Sequence, residues 1–225
     1  MGSKGETGGD LRSLLQMKLL VGLLAFGLTA TAVRVVNFDN AALGKTPPGW
    51  SVAMTNHGRA PQWEVHIDRS APTQPYVLAQ LAADPVRDRC PLAIWDGAML
   101  RDGEISVRIK PVSGREVQAG GIVWRYRDEN NYYLARGNAL DQNVQVFRVE
   151  NGRRVPLMAG VHHEFPANEW SILKVIVRGN RFQVFMDHRR ILQVQDSTFA
   201  TAGKVGLWTV ADSVTYFDDF RIQPR

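Results

Sequence analysis

Only one cysteine, Cys90, occurs among the 225 residues. A lone thiol excludes an intramolecular disulfide and any cysteine-based metal cluster, so stability has to come from packing. Cys90 stands before Pro91 with no activating partner nearby and reads as a small apolar residue. Histidine is scarce too, with five in the chain. His162 and His163 beside Glu164 form its one cluster, and adjacent side chains on a strand point to opposite faces, so they do not grip one ion unless the backbone turns there. No G-x-S-x-G elbow is present, which removes the familiar serine-hydrolase arrangement. No stretch sustains a 3.6-residue apolar period, so nothing helical is expected beyond short turns within 79–86 and 198–202. Basic residues outnumber acidic ones by 27 to 22, giving a net charge of +5, yet they are scattered among acids. The pattern reads as a mildly cationic solvated surface with no nucleic-acid partner, non-specific binding to polyanions being the alternative.

What is present begins with Lys18 and the apolar run LLVGLLAFGLTATA, which has the length of a signal-peptide core and is short for a membrane span. Ala30-Thr31-Ala32 supplies the A-x-A pattern for cleavage after Ala32. Residues 1–32 are therefore expected to be an N-terminal extension with a signal peptide, and 33–225 a single domain. The expected destination is the bacterial periplasm or the exterior, with no stable membrane insertion after cleavage.

Past Ala32 the period is that of strands. Runs rich in Val, Ile and aromatics are expected at 33–38, 62–68, 76–81, 104–110, 121–127, 132–136, 143–149, 171–178, 182–187, 191–195, 204–209 and 214–222. Asp102-Gly103, 128–131, Asn151-Gly152 and Gly179-Asn180 provide turns between them. Segment 41–60, with Pro47-Pro48 and three glycines, reads as loop. So many short strands without alternating helices predict an all-β fold of two packed antiparallel sheets, a jelly-roll sandwich.

Three stretches carry a family resemblance: GGIVWRYRDENNYYLAR, then W-x-x-L-K-V-x-V-x-G-N-x-x-x-V-F-M-D, then GKVGLWTVADSVTYFDDF. Together they resemble the concanavalin A-like lectin and glucanase superfamily, and more closely the bacterial 3-keto-disaccharide hydrolase-like jelly rolls. The resemblance spans roughly 35–222. It implies a curved sandwich whose concave sheet often meets glycans, in proteins that are sometimes enzymes and sometimes binding modules. His188 stands where a glycine is common in the equivalent turn. The resemblance also implies a structural calcium near the chain ends, with Asp39, Asp218 and Asp219 as its hard oxygen ligands; the alternative is that Asp218 and Asp219 pair with arginines.

A retaining glucanase needs two carboxylates about 5 Å apart, commonly E-x-D-x-x-E on one strand. No such motif exists here, and no catalytic residue is assigned. The readable chemistry is that of a carbohydrate surface, which combines flat rings with planar hydrogen-bonding groups. Alternation along 121–127 puts Ile122, Trp124 and Tyr126 on the core face and Arg125 on the exposed one. Asn143 and Gln145 share a face that would extend an Arg125 patch. On the strand between them either Tyr133 or Arg136 joins it, depending on register. The candidate ligand set is thus Arg125, Arg136, Asn138, Asn143, Gln145 and Tyr133, while Trp124, Trp170 and Trp208 are assigned to the core. The expected function is a secreted glycan-binding domain. The alternatives are a glycoside hydrolase acting on 3-keto-glycosides and an exported structural protein.

Overall fold

Strict alternation of buried and accessible residues defines the clearest strands. Ile105, Val107 and Ile109, then Leu173, Val175 and Val177, then Phe182, Val184 and Met186 are buried, and the residues between them are not. A computed structural model describes residues 1–2, 32–73 and 75–225. The expected signal segment lies outside the described residues apart from its terminal positions.

Among the described residues sixteen strands form two sheets. Sheet I has the order β14 (Arg189–Gln195), β13 (Arg181–Met186), β12 (Ser171–Arg178), β6 (Gly103–Ser113), β16 (Val214–Pro224), β4 (Tyr76–Gln80) and β3 (Trp63–Ile67), with β1 (Arg34–Val36) also paired to β16. Sheet II has the order β10 (Arg153–Pro156), β9 (Asn143–Glu150), β8 (Asn131–Asn138), β7 (Ala119–Asp128), β15 (Gly203–Thr209), β5 (Cys90–Leu100) and β2 (Trp50–Thr55), with β11 (Val161–His162) also paired to β9. The paired strands run antiparallel. Among the described residues there is no helix, so the helical turns expected within 79–86 and 198–202 do not form.

The inner faces enclose a core that includes Trp124, Tyr133, Val146, Phe182, Leu207, Phe217 and Phe220. Sheet II carries a second apolar layer on its outer face, with Leu92, Ile94, Val123, Tyr132, Leu134, Val149 and Trp208 all buried. Strands apolar on both faces are covered on both faces. Trp208 therefore packs on the outside of the sandwich. Trp170, expected in the core, is only half-buried, and its indole N–H donates to Ser70 Oγ at 3.1 Å.

Strands β2, β5 and the two-residue β11 run where none is expected. The loop signals of Pro47, Pro48 and Gly49 end at Trp50, where β2 begins and pairs with β5. Strand β5 is interrupted by Asp96-Gly97, and its register against β15 jumps from Trp95 to Met99. The expected hairpin at Asn151-Gly152 is present, with φ of 50° and 77°, as a type I′ turn requires.

The alternation of β7 breaks at Arg125. Its φ is 49°, and the pairing of β7 shifts register against β8 and against β15 at this point. This is a β-bulge, and one extra residue turns every following side chain to the opposite face. Trp124 stays in the inner core, and Tyr126 turns to the outer layer. Gly203 faces the bulge, where a Cβ would lie 2.5 Å from the carbonyl carbon of Arg125.

Candidate functional site

The outer layer of sheet II is roofed at one side by the β9–β10 hairpin and by the segments around Asn56 and Arg87–Arg89. Asn56 Nδ2 donates to the carbonyls of Asp88 and Gly152 at 2.9 and 3.3 Å, which ties the two roofing segments together. Arg154 reaches across from β10, its guanidinium 5.7 Å from the centroid of the Trp208 ring. It also donates to Arg87 O at 3.1 Å and pairs with Asp88 at 3.4 Å. Arg89, which the sequence counts among the surface cations, is fully buried, donating to Arg59 O and Ala211 O at 2.7 and 2.9 Å.

Beside this roof opens a cleft of ≈ 680 Å³, lined among others by Arg136, Asn138, Asp141, Phe147, Arg153, Arg154, Asp88 and His57. Regular alternation on β8 sends Tyr133 and Ala135 inward, and Tyr132, Leu134, Arg136 and Asn138 outward. Arg136 is 9% exposed. Its two terminal nitrogens donate to Asn143 Oδ1 at 2.9 Å and Gln145 Oε1 at 3.4 Å on β9. The Phe147 ring lies 5.6 Å from its guanidinium carbon, and Asp141 stands 3.9 Å away. Burial pulls the guanidinium down to about 10, against the opposing pull of Asp141, so it remains a cation at neutral pH.

Asn138 caps the next turn: its Nδ2 donates to Asp141 and its Oδ1 accepts from the Leu140 N–H at 3.1 Å. Gln145 Nε2 donates to Met158 O at 3.0 Å, so the amide is fixed from both ends. Val117 of the cleft lining is held in place by Asp212, which accepts from the backbone N–H groups of Arg115, Glu116 and Val117. Burial works against that carboxylate's charge, but the three donors hold its pKa below the ordinary value. The cleft thus presents a hydrogen-bonded guanidinium, a phenyl ring, amides and the carboxylates of Asp88 and Asp141.

Four of the six expected ligand residues come together here. Arg136 and Asn138 line the cleft, and Asn143 and Gln145 orient Arg136 from beneath. Arg125 and Tyr133 do not join them. Because of the bulge, Arg125 is 2% exposed and donates to Arg101 O, Phe199 O and Gly179 O. It satisfies loop carbonyls and does not face the cleft. Tyr133 lies in the inner core stacked 5.5 Å from Trp124, with its hydroxyl donating to Asp196 and accepting from the Phe199 N–H. Phe147 could have been read from alternation, since 143, 145 and 147 share a face. Asp88 and His57 carry no such signal because loop packing alone brings them in.

The three aspartates expected to hold calcium do not assemble a ligand set. Asp218 accepts from the Thr73 N–H and hydroxyl at 2.9 and 2.8 Å. Asp219 is paired with Arg108 at 3.1 Å and Arg221 at 3.3 Å, and Asp39 faces the Tyr76 N–H at 3.4 Å. A carboxylate shared by two guanidiniums does not fit a cation ligand. Among the described residues no group of three or more His, Cys, Asp or Glu is placed to hold a metal. Nor is any helix among them long and apolar enough to cross a membrane.

No family model matches the chain. A carbohydrate-binding module, CBM66 from Bacillus subtilis, superposes with a TM-score of 0.61 at 22% identity, covering 77% of this chain and 94% of the module. The carbohydrate recognition domain of Emp47p superposes at 0.56 with 13% identity, over 84% of this chain and 94% of that one. The fold is concanavalin A-like. Within that fold, the levanase of Bacillus subtilis (strain 168) is 32% identical over 117 residues, 52% of this chain. The aligned part is 16% of the levanase, so the chain spans a minor share of that relative's length.

Proposed function

We propose that the chain is an exported carbohydrate-binding domain without catalytic activity, and that the cleft on sheet II is its binding site. The observation that carries this reading is Arg136, a buried guanidinium held by Asn143 and Gln145 over the Phe147 ring at the cleft wall. Fixed planar donors beside a ring pair with adjacent sugar hydroxyls while the ring covers an apolar sugar face. Likeness to carbohydrate-binding modules and the partial match to a levanase support a sugar ligand and put levan first among those to test.

Calorimetric titration of the mature protein with levan, inulin, cellulose and xylan oligomers tests the reading. Arg136→Ala is expected to abolish measurable binding of whichever sugar binds, a loss of at least tenfold. Binding left unchanged in Arg136→Ala would overturn the site. A hydrolase requires two carboxylates free to flank the scissile bond. Asp88 and Asp141 in the cleft are each engaged by an arginine, which favours binding over turnover. Export rests on the run after Lys18 and is tested by the N-terminal sequence of secreted protein, expected to begin at Val33.

A further inference from the structure

The cations that are scattered along the sequence are gathered by strand alternation onto the outer face of sheet I. Arg108 on β6, Lys174 on β12 and Arg221 on β16 line a pocket of ≈ 320 Å³ together with His188. Its one carboxylate, Asp219, is 5% exposed and sits at a bulge in β16 with φ of 51°. Asp219 Oδ2 engages Arg108 Nε and Arg221 Nη2, at 3.1 and 3.3 Å. One buried anion therefore fixes two guanidiniums by one nitrogen each at the wall of the pocket. Lys174 adds a third positive charge, its Nζ 4.7 Å from the Phe185 ring centroid.

A second cationic pair lies further along β12. Arg178 and Arg181 stand directly opposite each other across β12 and β13 and border a pocket of ≈ 240 Å³. Neither has an acidic partner among the described residues, and like charges in facing positions destabilise a sheet. Four residues of strand separate Arg178 from Lys174, roughly 13 Å. A single small anion does not reach both clusters, whereas a chain bearing repeated acidic groups does.

We infer that the outer face of sheet I is a second binding surface, for an acidic polysaccharide whose carboxylate or sulfate groups pair with Arg108, Arg221, Lys174, Arg178 and Arg181. The stretch of this face from Lys174 to Arg181 lacks what other polyanion partners use. Single-stranded nucleic acid binds through aromatic platforms, and the Phe185 ring is covered by Lys174. Membrane surfaces take up apolar wedges; the exposed Val35 of β1 stands alone opposite Arg221, and none of the exposed large hydrophobic residues lies on β6, β12 or β13. The surface faces away from the cleft's sheet, so it operates independently of the sugar proposed there.

Affinity electrophoresis of the full chain through gels containing polygalacturonate, dextran sulfate or neutral dextran tests the inference. Retardation is expected with at least one acidic polymer and not with dextran, and it should fade between about 0.05 and 0.5 M salt as screening sets in. Retardation by polygalacturonate alone identifies carboxylate as the recognised group, and by dextran sulfate alone, sulfate. The triple variant Lys174→Gln, Arg178→Gln, Arg181→Gln leaves the Asp219 pairs intact and is expected to lose at least tenfold in affinity with a melting temperature no lower than the parent's. Arg136→Ala is expected to be retarded like the parent. No retardation in either acidic gel would overturn the proposal. So would a triple variant that binds like the parent, or duplex DNA or phosphatidylglycerol vesicles binding as tightly as the polysaccharide.

Discussion

On sheet I the side chains that point away from the core include Arg108, Lys174, Arg178 and Arg181, and solvent reaches all of them; on sheet II the equivalent positions hold Leu92, Val123, Leu134 and Trp208, and protein covers them. The first face can recognise only what comes to it along a flat surface. The second is thick enough to support a cleft, because the β9–β10 hairpin and the 86–89 segment need an apolar layer to rest on. A rigid floor under Arg136 follows from that layer, since Tyr132 and Leu134 anchor the same strand from the same side.

The largest expected effect tests whether the outer layer of sheet II is a true core. Trp208→Ala is expected to cost about 3–5 kcal/mol, as much as Trp124→Ala between the sheets, while Lys174→Ala on sheet I stays within about 0.5 kcal/mol. Urea unfolding followed by tryptophan fluorescence measures all three, and a Trp208→Ala loss below 1 kcal/mol would erase the distinction between the faces. Next comes Gly203→Ala. Its new Cβ would meet the backbone of Arg125 and Tyr126 at 2.5–2.7 Å, so a loss of about 2 kcal/mol is expected. A neutral result would mean that the bulge yields easily.

High pH sharpens the contrast further. Burial, reinforced by Glu129 and Asp128, pushes Tyr126 up to about 12, and burial raises Tyr132 well above its ordinary value. Burial also takes Tyr133 to about 12, with the hydroxyl bond to Asp196 adding to it. A group whose folded pKa exceeds its unfolded value near 10 gives its full stability below 10 and loses it as pH rises through 12. Stability is therefore expected to hold to about pH 9.5 and fall steeply from 10 to 12, with ionisation absorbance lagging until unfolding. Tyrosine ionisation that is complete by pH 10.5 in folded protein would contradict the sealed layer.

The smallest effect lies on sheet I, where Asp187 and His188 form the β13–β14 turn with φ of 46° and 69°. Glycine adopts that region at less cost than histidine, so His188→Gly should raise stability by about 0.5 kcal/mol. Thermal melting would detect a shift of either sign.

Much of this was readable beforehand, and the limits have a physical origin. Period-two alternation identifies β6, β12, β13 and β9 and pairs Asn143 with Gln145, because one of their faces is dry and the other wet. It fails on β7, where the apolar pattern continues through Arg125 without marking the extra residue, so Arg125 and Tyr126 are assigned to the wrong faces. It also says nothing of β5, which is apolar on both faces and broken by Asp96-Gly97. The register of β8 leaves Tyr133 and Arg136 undecided until pairing with β9 sets Arg136 against Gln145. Loop residues such as Asp88 enter the cleft through tertiary contacts that no local pattern encodes.

The bulge at Arg125 makes β7 a strand that counts. Before it, even-numbered positions belong to the space between the sheets; after it, parity reverses, and Tyr126 is handed to the layer beneath the cleft. Deleting one residue there would leave composition and hydropathy almost unchanged, yet it would exchange the two sets of neighbours. Sequence comparison by similarity alone would score such a change as trivial, whereas for the floor of the cleft it is a change of meaning.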